Sequence, residues 1–275
     1  MEFVDKTLAR RLESCEEMPQ VYYARVFQNS RPEIGAAEEE ICSGHMIFAG
    51  LGSPIGRATG CGLDHPLTKD DLDRIEHFYR EHKAPSQVDL TPLHAPEVFA
   101  MFKERGYAIA ELNNVLYRKL DPQETFPDPP AHCEIRPSHH GEADVTGSIV
   151  ESAFFPDGAP EAFRGLIEPL YQMDNARPFV ATVEGKPVAC GTGLVIPAHR
   201  VFAVCGAGTL SDFRARGLQT ALLRARMAAA IDAGCEYAVV VTQGGTTSQR
   251  NAERVGFRVA YSKVTVIKHL DSLHS

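Results

Sequence analysis

The residues whose types and spacing best suit a chemical role lie in the stretch HRVFAVCGAGTLSDFRARGLQTALLRARMAAAID. In this stretch an apolar run typical of a strand leads into an alanine- and leucine-rich helix. The turn between them contains Gly217, which permits close backbone approach, flanked by Arg214 and Arg216. The first amides of the predicted helix, from Gly217 to Thr220, have no partner within the helix and lie at the positive end of its dipole. Such a start suits a pyrophosphate, although a helix that simply begins in solvent has the same pattern.

Two motifs in the C-terminal half of the chain resemble those of a known family. Arg214-Ala-Arg-Gly217-Leu-Gln219 resembles motif A of the GNAT (GCN5-related) N-acetyltransferases, which is Arg/Gln-x-x-Gly-x-Gly/Ala followed by an aliphatic helix. The closing NAERVGFRVAYSK resembles the last helix and strand of that family, with Gly256-Phe257 as its Gly-Phe pair. The resemblance covers residues from about 134 to 270. It implies an α/β (α+β) fold of two GNAT-like domains, each a mixed, mostly antiparallel sheet flanked by helices.

The resemblance also implies a reaction and a binding site. The expected acyl donor is acetyl-CoA, and the expected acceptor is a primary amine of a small molecule or peptide, which attacks the thioester directly. The pantetheine arm is expected along the end of the strand, and the pyrophosphate on the loop amides. The residues expected to bind the donor are Ala207, Gly208, Thr209, Leu210, Arg214, Ala215, Arg216, Gly217, Leu218, Gln219, Thr220 and Asn251. Gln219 stands where the family mostly has Gly or Ala, so we expect a wider loop or an added hydrogen bond.

The catalytic acid departs from the usual family pattern. Many members carry a tyrosine four residues before the Gly-Phe glycine, and Ala252 occupies that position here. The stretch from Ser248 to Asn251 instead resembles the ribosomal-protein alanine acetyltransferases, which carry a serine at the position of Ser248. Ser248 is therefore the candidate acid, and the alternative is that it caps the helix that follows.

The sequence offers no clear general base. Many members have a glutamate on the strand before the loop, whereas the inward positions here are Val201, Ala203 and Cys205. Cys205 is interpreted as a packed core thiol. Glu151 either reaches a substrate cleft or faces solvent.

The chain divides into two similar halves. A proline-rich linker at 121–133 separates a degenerate GNAT-like domain at 1–120 from a catalytic domain at 134–275. Elements of the halves correspond at an offset of 150 residues: helix 72–82, strand 87–91 and strand 108–120 overlie their counterparts in the second half. The segment that matches the phosphate loop, Asp64 to Asp70, has no glycine and two aspartates, so we expect no coenzyme A there. The first half should cover a sheet edge or wall the substrate cleft.

The periodicity of the second half predicts a definite order of elements. The predicted helices are 139–153, 160–171, 217–233 and 247–255. The predicted strands are 178–184, 187–196, 200–209, 237–242 and 257–268. The helical crossover between strands 200–209 and 237–242 predicts that these two run parallel.

Composition excludes several functional classes. A net charge of −8 without a basic run argues against nucleic acid as a partner. The sequence shows neither a signal peptide nor a membrane span, and seven irregularly spaced cysteines suggest a reduced, cytoplasmic protein. No metal is expected, because the adjacent His139 and His140 lack neighbouring cysteines. A monomer with an internal pseudo-dimer, or a homodimer, is expected.

Two rival functions remain open. A non-catalytic acyl-CoA sensor would keep the loop and lack the acid and base. A dinucleotide-binding domain would explain VFAVCGAGTLS, but Ser211 replaces the third glycine, and the next strand ends in Gln243 rather than an acid.

Overall fold

The computed structural model describes residues 2–270 of the 275-residue chain. The α-helices are α1 (Lys6–Ser30), α2 (Lys69–Glu81), α3 (Pro96–Glu104), α4 (Ala143–Phe154), α5 (Leu218–Asp232) and α6 (Thr247–Arg254). The strands are β1 (Ala37–Ile41), β2 (Gly44–Phe48), β3 (Ala58–Thr59), β4 (Ser86–Leu90), β5 (Ala108–Lys119), β6 (Glu134–Pro137), β7 (Phe179–Val183), β8 (Lys186–Ile196), β9 (Val201–Thr209), β10 (Tyr237–Gln243) and β11 (Arg258–Lys268).

These elements form two compact units, and the boundaries of the units differ from the predicted division at the linker 121–133. Unit 1 comprises the described residues up to Val115, a short segment Val241–Gly244, and the described residues from Val259 onward. Unit 2 comprises Leu116–Val240 and Gly245–Arg258. Unit 1 therefore contains nearly all of β11 from the second half of the sequence, and unit 2 contains the end of β5 from the first half.

Unit 2 has the strand order β10-β9-β8-β7-β6. Strands β9 and β10 are parallel, with Val201 opposite Tyr237, whereas β6 to β9 pair antiparallel. Both arrangements confirm the sequence prediction, which did not include β6 itself. The Cβ direction of Gly208 on β9 meets α4, and that of Gly191 on β8 meets α5. Since Gly208 lies opposite Cys190 and successive residues alternate between faces, α4 and α5 cover opposite faces of this sheet.

The predicted helix at 160–171 is wrong. The chain there forms two short 3-10 turns, Glu161–Phe163 and Glu168–Gln172. Gly165 between them has a φ of +70°, and Pro169 lacks an amide hydrogen, so a continuous helix cannot form. The preceding helix α4 also begins later than predicted, because a 3-10 turn occupies His140–Glu142.

Unit 1 has the strand order β1-β2-β3-β4-β11-β5. The predicted helix and strands of this half correspond to α2, β4 and β5, whereas the long helix α1 was not predicted. The inward face of α1 is partly polar, with Glu13, Ser14, Glu17 and Gln20 buried, so its apolar periodicity is weak.

A buried cluster of charged side chains holds β11 in unit 1. Lys263 is 1% exposed, and its ammonium lies 3.1 Å from Glu13 Oε2 and 3.2 Å from Asp89 Oδ2. Tyr261 donates a hydrogen bond to Glu13, and Thr265 donates one to Asp89. Burial disfavours the charged form of Lys263, but the neighbouring carboxylates outweigh it and raise its pKa.

Candidate functional site

The loop between β9 and α5 has an unusual backbone conformation. A 3-10 turn at Ser211–Phe213 leads to Ala215, a non-glycine residue with a φ of +60°, and then to Gly217 with a φ of +79°. A left-handed conformation at Ala215 costs of order 1–3 kcal/mol and must be held by its surroundings. Gly217 in the left-handed region is followed directly by Leu218, the first right-handed residue of α5, and such a pair turns successive backbone amides toward one side, which produces an anion-binding concavity.

At the start of α5, no side chain caps the helix and no acidic side chain offsets the positive end of its dipole. Gly217 is its N-cap and has no side chain to accept a hydrogen bond, and the first turn contains no acidic residue. The first helical hydrogen bond runs from the Ala221 amide to the Gly217 carbonyl, at 3.0 Å. The preceding amides have no carbonyl partner within the helix. Leu218, at 2% exposed, anchors this turn in the core below.

The two arginines of the loop are engaged with backbone carbonyls. Arg214 donates to the carbonyls of Thr209 and Ala153, each at 3.3 Å. Arg216 donates to the Asp212 carbonyl at 2.9 Å, and its guanidinium stacks on the Phe213 ring. Both side chains therefore hold the loop in shape as well as contributing positive charge at the helix start.

Gln219 faces inward and forms the added hydrogen bonds that the sequence allowed. Its side-chain amide donates to the Gly208 carbonyl and to the Thr209 hydroxyl, each at 2.8 Å, and lies 3.3 Å from the Cys190 carbonyl. The first turn of α5 is thereby tied to the end of β9, along which the pantetheine arm is expected. Thr220 is half-buried in the same turn.

The residues at the start of α6 are placed differently from the sequence interpretation. The N-cap of α6 is Thr246, whose hydroxyl accepts the Gln249 amide at 3.4 Å. The alternative role for Ser248 as a helix cap is therefore wrong: it is the second residue of the helix and is exposed. Asn251 is half-buried, and Ala252 at the expected tyrosine position is packed in the core of unit 2.

Comparison with known proteins decides the family of this region. Residues 146–257 match the profile of the Acetyltransferase (GNAT) family. The chain contains a GNAT domain.

Solved structures extend the likeness to nearly the whole chain. A GCN5-related N-acetyltransferase from Kribbella flavida superposes with a TM-score of 0.64 at 17% identity, covering 91% of this chain and 97% of that one. A tandem GNAT protein from the clavulanic acid biosynthesis pathway superposes with a TM-score of 0.62 at 11% identity, covering 96% and 95%. A conserved protein of unknown function from Staphylococcus epidermidis gives 0.57 at 14% identity, covering 88% and 97%. The predicted fold, a mixed and mostly antiparallel GNAT fold flanked by helices, is confirmed.

A search of curated proteins finds no match to the sequence. Within residues 2–270, no helix combines the length and the apolar character needed to cross a membrane. The same residues contain no group of three or more His, Cys, Asp or Glu placed to hold a metal ion.

The structure accounts for the other side chains considered for chemistry in the GNAT domain. Burial raises the pKa of the Cys205 thiol to about 12, so at neutral pH it is a protonated thiol and not a nucleophile. The Glu151 carboxylate accepts the Gly165 amide at 3.0 Å and so stabilises the turn that follows α4. A cavity of about 740 Å³ is lined by α5 and the start of β7, and none of the predicted donor-binding residues line it.

Sequence reasoning overlooked one residue beneath the site. Arg226 lies in the middle of α5 and is fully buried, between positions that pack in the core. The only sequence signal is an arginine within a helical run whose neighbours one, three and four residues away are apolar.

Proposed function

We propose that the GNAT domain is an N-acetyltransferase that binds acetyl-CoA at the start of α5 and transfers its acetyl group to a primary amine. The observation that carries this proposal is the open helix start, where two left-handed residues, Ala215 and Gly217, precede amides without a capping side chain. A backbone conformation of this kind is suited to a diphosphate, which accepts several hydrogen bonds and complements the helix dipole.

The residues of the loop bind and orient the donor. The amides from Arg214 to Thr220 would hold the pyrophosphate, with Asn251 beside it, and the backbone of Ala207–Leu210 would align the pantetheine arm. The amine nitrogen then attacks the thioester carbonyl, an N–C bond forms, and the C–S bond breaks. The amine loses a proton, and the departing thiolate gains one. Orientation of two reactants can supply effective molarities of about 10⁵–10⁸ M, which exceeds the roughly 10²–10⁴-fold contribution of acid–base groups.

The donor of the proton to the thiolate is proposed to be Ser248, on the basis of its exposure on α6 and the buried alanine at position 252. The acceptor is proposed to be a small-molecule or peptide amine, and the protein is proposed to be cytoplasmic.

The buried Ala252 also supports a second candidate function. A domain that keeps the phosphate loop and has no tyrosine at that position could sense acyl-CoA without turning it over.

Calorimetric titration of the full-length protein with acetyl-CoA tests the binding step. We expect one molecule bound per chain. Gly217→Glu should weaken binding by about a hundredfold or more, roughly 3 kcal/mol, because it places a carboxylate where the pyrophosphate belongs. Gly234→Glu is the matched control, since Gly234 has a φ of +72° beyond the other end of the same helix and an open Cβ direction. Equal affinity of a folded Gly217→Glu variant and the wild type would refute the site.

Turnover with a panel of amines separates the enzyme from the sensor. Loss of thioester absorbance is the suitable readout, because a thiol reagent would also react with half-buried free cysteines of the chain itself, such as Cys42 and Cys133. Amine-dependent loss of thioester supports the enzyme. Tight binding without turnover over a broad panel would favour the sensor.

A further inference from the structure

Arg226 of α5 is a buried cation with an unusual set of partners. Its side chain is 1% exposed, and its guanidinium donates to the carbonyls of Leu222 at 3.1 Å, Thr192 at 3.2 Å and Cys205 at 3.3 Å. One side chain thus connects α5 with β8 and β9. No carboxylate pairs with it in the part of the chain that the structure describes.

The guanidinium lies at a bulge between β8 and β9. Cys190 is opposite Gly208 and Thr192 is opposite Cys205, so the single residue Gly191 on β8 faces two residues, Gly206 and Ala207, on β9. Gly206 has a φ of +54°, as expected at such a bulge. The Cys205 carbonyl, which accepts from Arg226, immediately precedes it.

The site is shaped to accommodate this side chain. A Cβ atom on Gly191 would lie 2.8 Å from the Arg226 Cζ, so glycine at 191 leaves the space that the guanidinium fills. Burial lowers the pKa of Arg226 to about 10, and the group therefore remains charged at neutral pH.

Stability alone does not explain a buried cation without an anionic partner. Burying such a charge is unfavourable, and replacing buried ionic groups by apolar residues of similar volume is often neutral or stabilising. Its bonds to both strands at this point therefore indicate a role in fixing the local backbone.

We propose that Arg226 is a positioning residue for the acyl donor, which fixes the β8–β9 bulge and thereby the course of Ala207–Thr209. This inference rests on the proposed function, because it assigns the segment after the bulge to the donor. At the bulge, two residues of β9 lie opposite a single residue of β8, so the backbone of β9 can take more than one path there. The hydrogen bonds from Arg226 to Thr192 and Cys205 select one of these paths. Misplacement of a binding segment by about 1 Å can cost on the order of a hundredfold in rate.

The test is Arg226→Met in the full-length protein, with Arg224→Met as the matched control on the same helix. Arg224 is half-buried and is not placed in the site. For Arg226→Met we expect the dissociation constant and KM for acetyl-CoA to rise about tenfold or more, while the melting temperature stays at or above that of the wild type. Amide hydrogen exchange of the ligand-free protein should increase at 205–209 and not in α6. Arg224→Met should leave all of these unchanged.

A second variant guards against a simple folding defect. Gly191→Ala keeps Arg226 but places a methyl group in the space of the guanidinium, and it should raise KM for acetyl-CoA in the same direction. Unchanged KM and exchange in a folded Arg226→Met variant, with a wild type that binds acetyl-CoA, would overturn this inference alone. A wild type that does not bind acetyl-CoA would overturn the proposed function as well as this inference.

Discussion

Helices α2 and α5 occupy corresponding places in the two units, each following a central strand, and they begin in opposite ways. Helix α2 has Thr68 as its N-cap, and Thr68 and Asp71 form a reciprocal capping box: the Thr68 hydroxyl accepts the Asp71 amide, and the Asp71 carboxylate accepts the Thr68 amide. Asp70 adds a second acid in its first turn. Helix α5 has a left-handed glycine as its N-cap and no acid in its first turn.

The contrast shows how one fold position can be closed or open to a ligand. In unit 1 the protein supplies the anion itself, so an incoming phosphate would compete with Asp71 and meet two negative charges. In unit 2 the same end of the helix leaves its amides for an external anion. A few side chains at the start of a helix are therefore enough to decide whether its first amides are occupied by the protein or left open.

The largest expected effect concerns whether the two units are separable modules at all. Because unit 1 includes β11 and unit 2 includes Leu116 and Leu120 in its core, we expect a fragment of residues 131–275 to be insoluble or to self-associate. A protease site inserted in the linker provides the control. After cleavage, the two pieces should co-elute in size-exclusion chromatography and unfold in one transition. A monomeric, active 131–275 fragment would show that the second half folds independently.

The interior of unit 1 provides the next test. Lys263→Met should lower the free energy of unfolding by about 3–5 kcal/mol, because it leaves Glu13 buried without a cation and Asp89 with Arg57 alone. Lys268→Met on the same strand removes a more exposed pair with Glu76 and should cost less than about 1 kcal/mol. Urea unfolding measures both, and equal losses would contradict a special role for the buried cluster.

The pH dependence of that loss has a definite sign. The pKa of Lys263 is raised, so its contribution is complete at neutral pH and is lost only as the pH rises through the folded value. The pKa of Asp89 is lowered by Lys263 and Arg57 despite burial, so its contribution is lost as the pH falls below about 4. Burial raises the pKa of Glu13, so this group protonates first. The loss caused by Lys263→Met should therefore shrink as the pH falls.

In unit 2, a catalytic role and a capping role at the start of α6 can be tested separately, because they belong to different residues. If Ser248 is the acid, Ser248→Ala should lower kcat by roughly a hundredfold and leave stability unchanged, because Ser248 is not the cap. Thr246→Ala removes the actual cap and should cost about 1 kcal/mol of stability. Unchanged kcat in Ser248→Ala would remove Ser248 from the mechanism.

The smallest effect is at the closed helix start. Thr68→Ala should lower the free energy of unfolding by about 1 kcal/mol, through loss of the bond to the Asp71 amide, while Thr68→Ser should retain it. Neither change should add a second acetyl-CoA site, because the carboxylates of Asp70 and Asp71 remain. A second bound molecule in either variant would contradict the closed character of α2.

The amino-acid sequence determined the start of α5 without acidic residues, the closing helix and strand, and the acidic start of α2 in the first half. Each of these depends on local chemistry: a glycine that adopts a left-handed φ, a helix start without acids, or an aspartate in the first turn. Strands β7 to β11 of the second half were predicted nearly to their ends, since alternation of apolar residues is also a local signal, whereas the short strand β6 was not predicted.

The tertiary structure alone decided that the last strand, β11, joins unit 1. Alternation shows that 258–268 is a strand, but its neighbour β4 is set by Lys263, whose partners Glu13 and Asp89 lie far away in the sequence. The partners of Arg226 are equally hidden from the sequence, because they are backbone carbonyls, which every residue type carries. Contacts of this kind leave no residue pattern to read, since the energy of a buried charge depends on groups that only folding brings within a few ångströms.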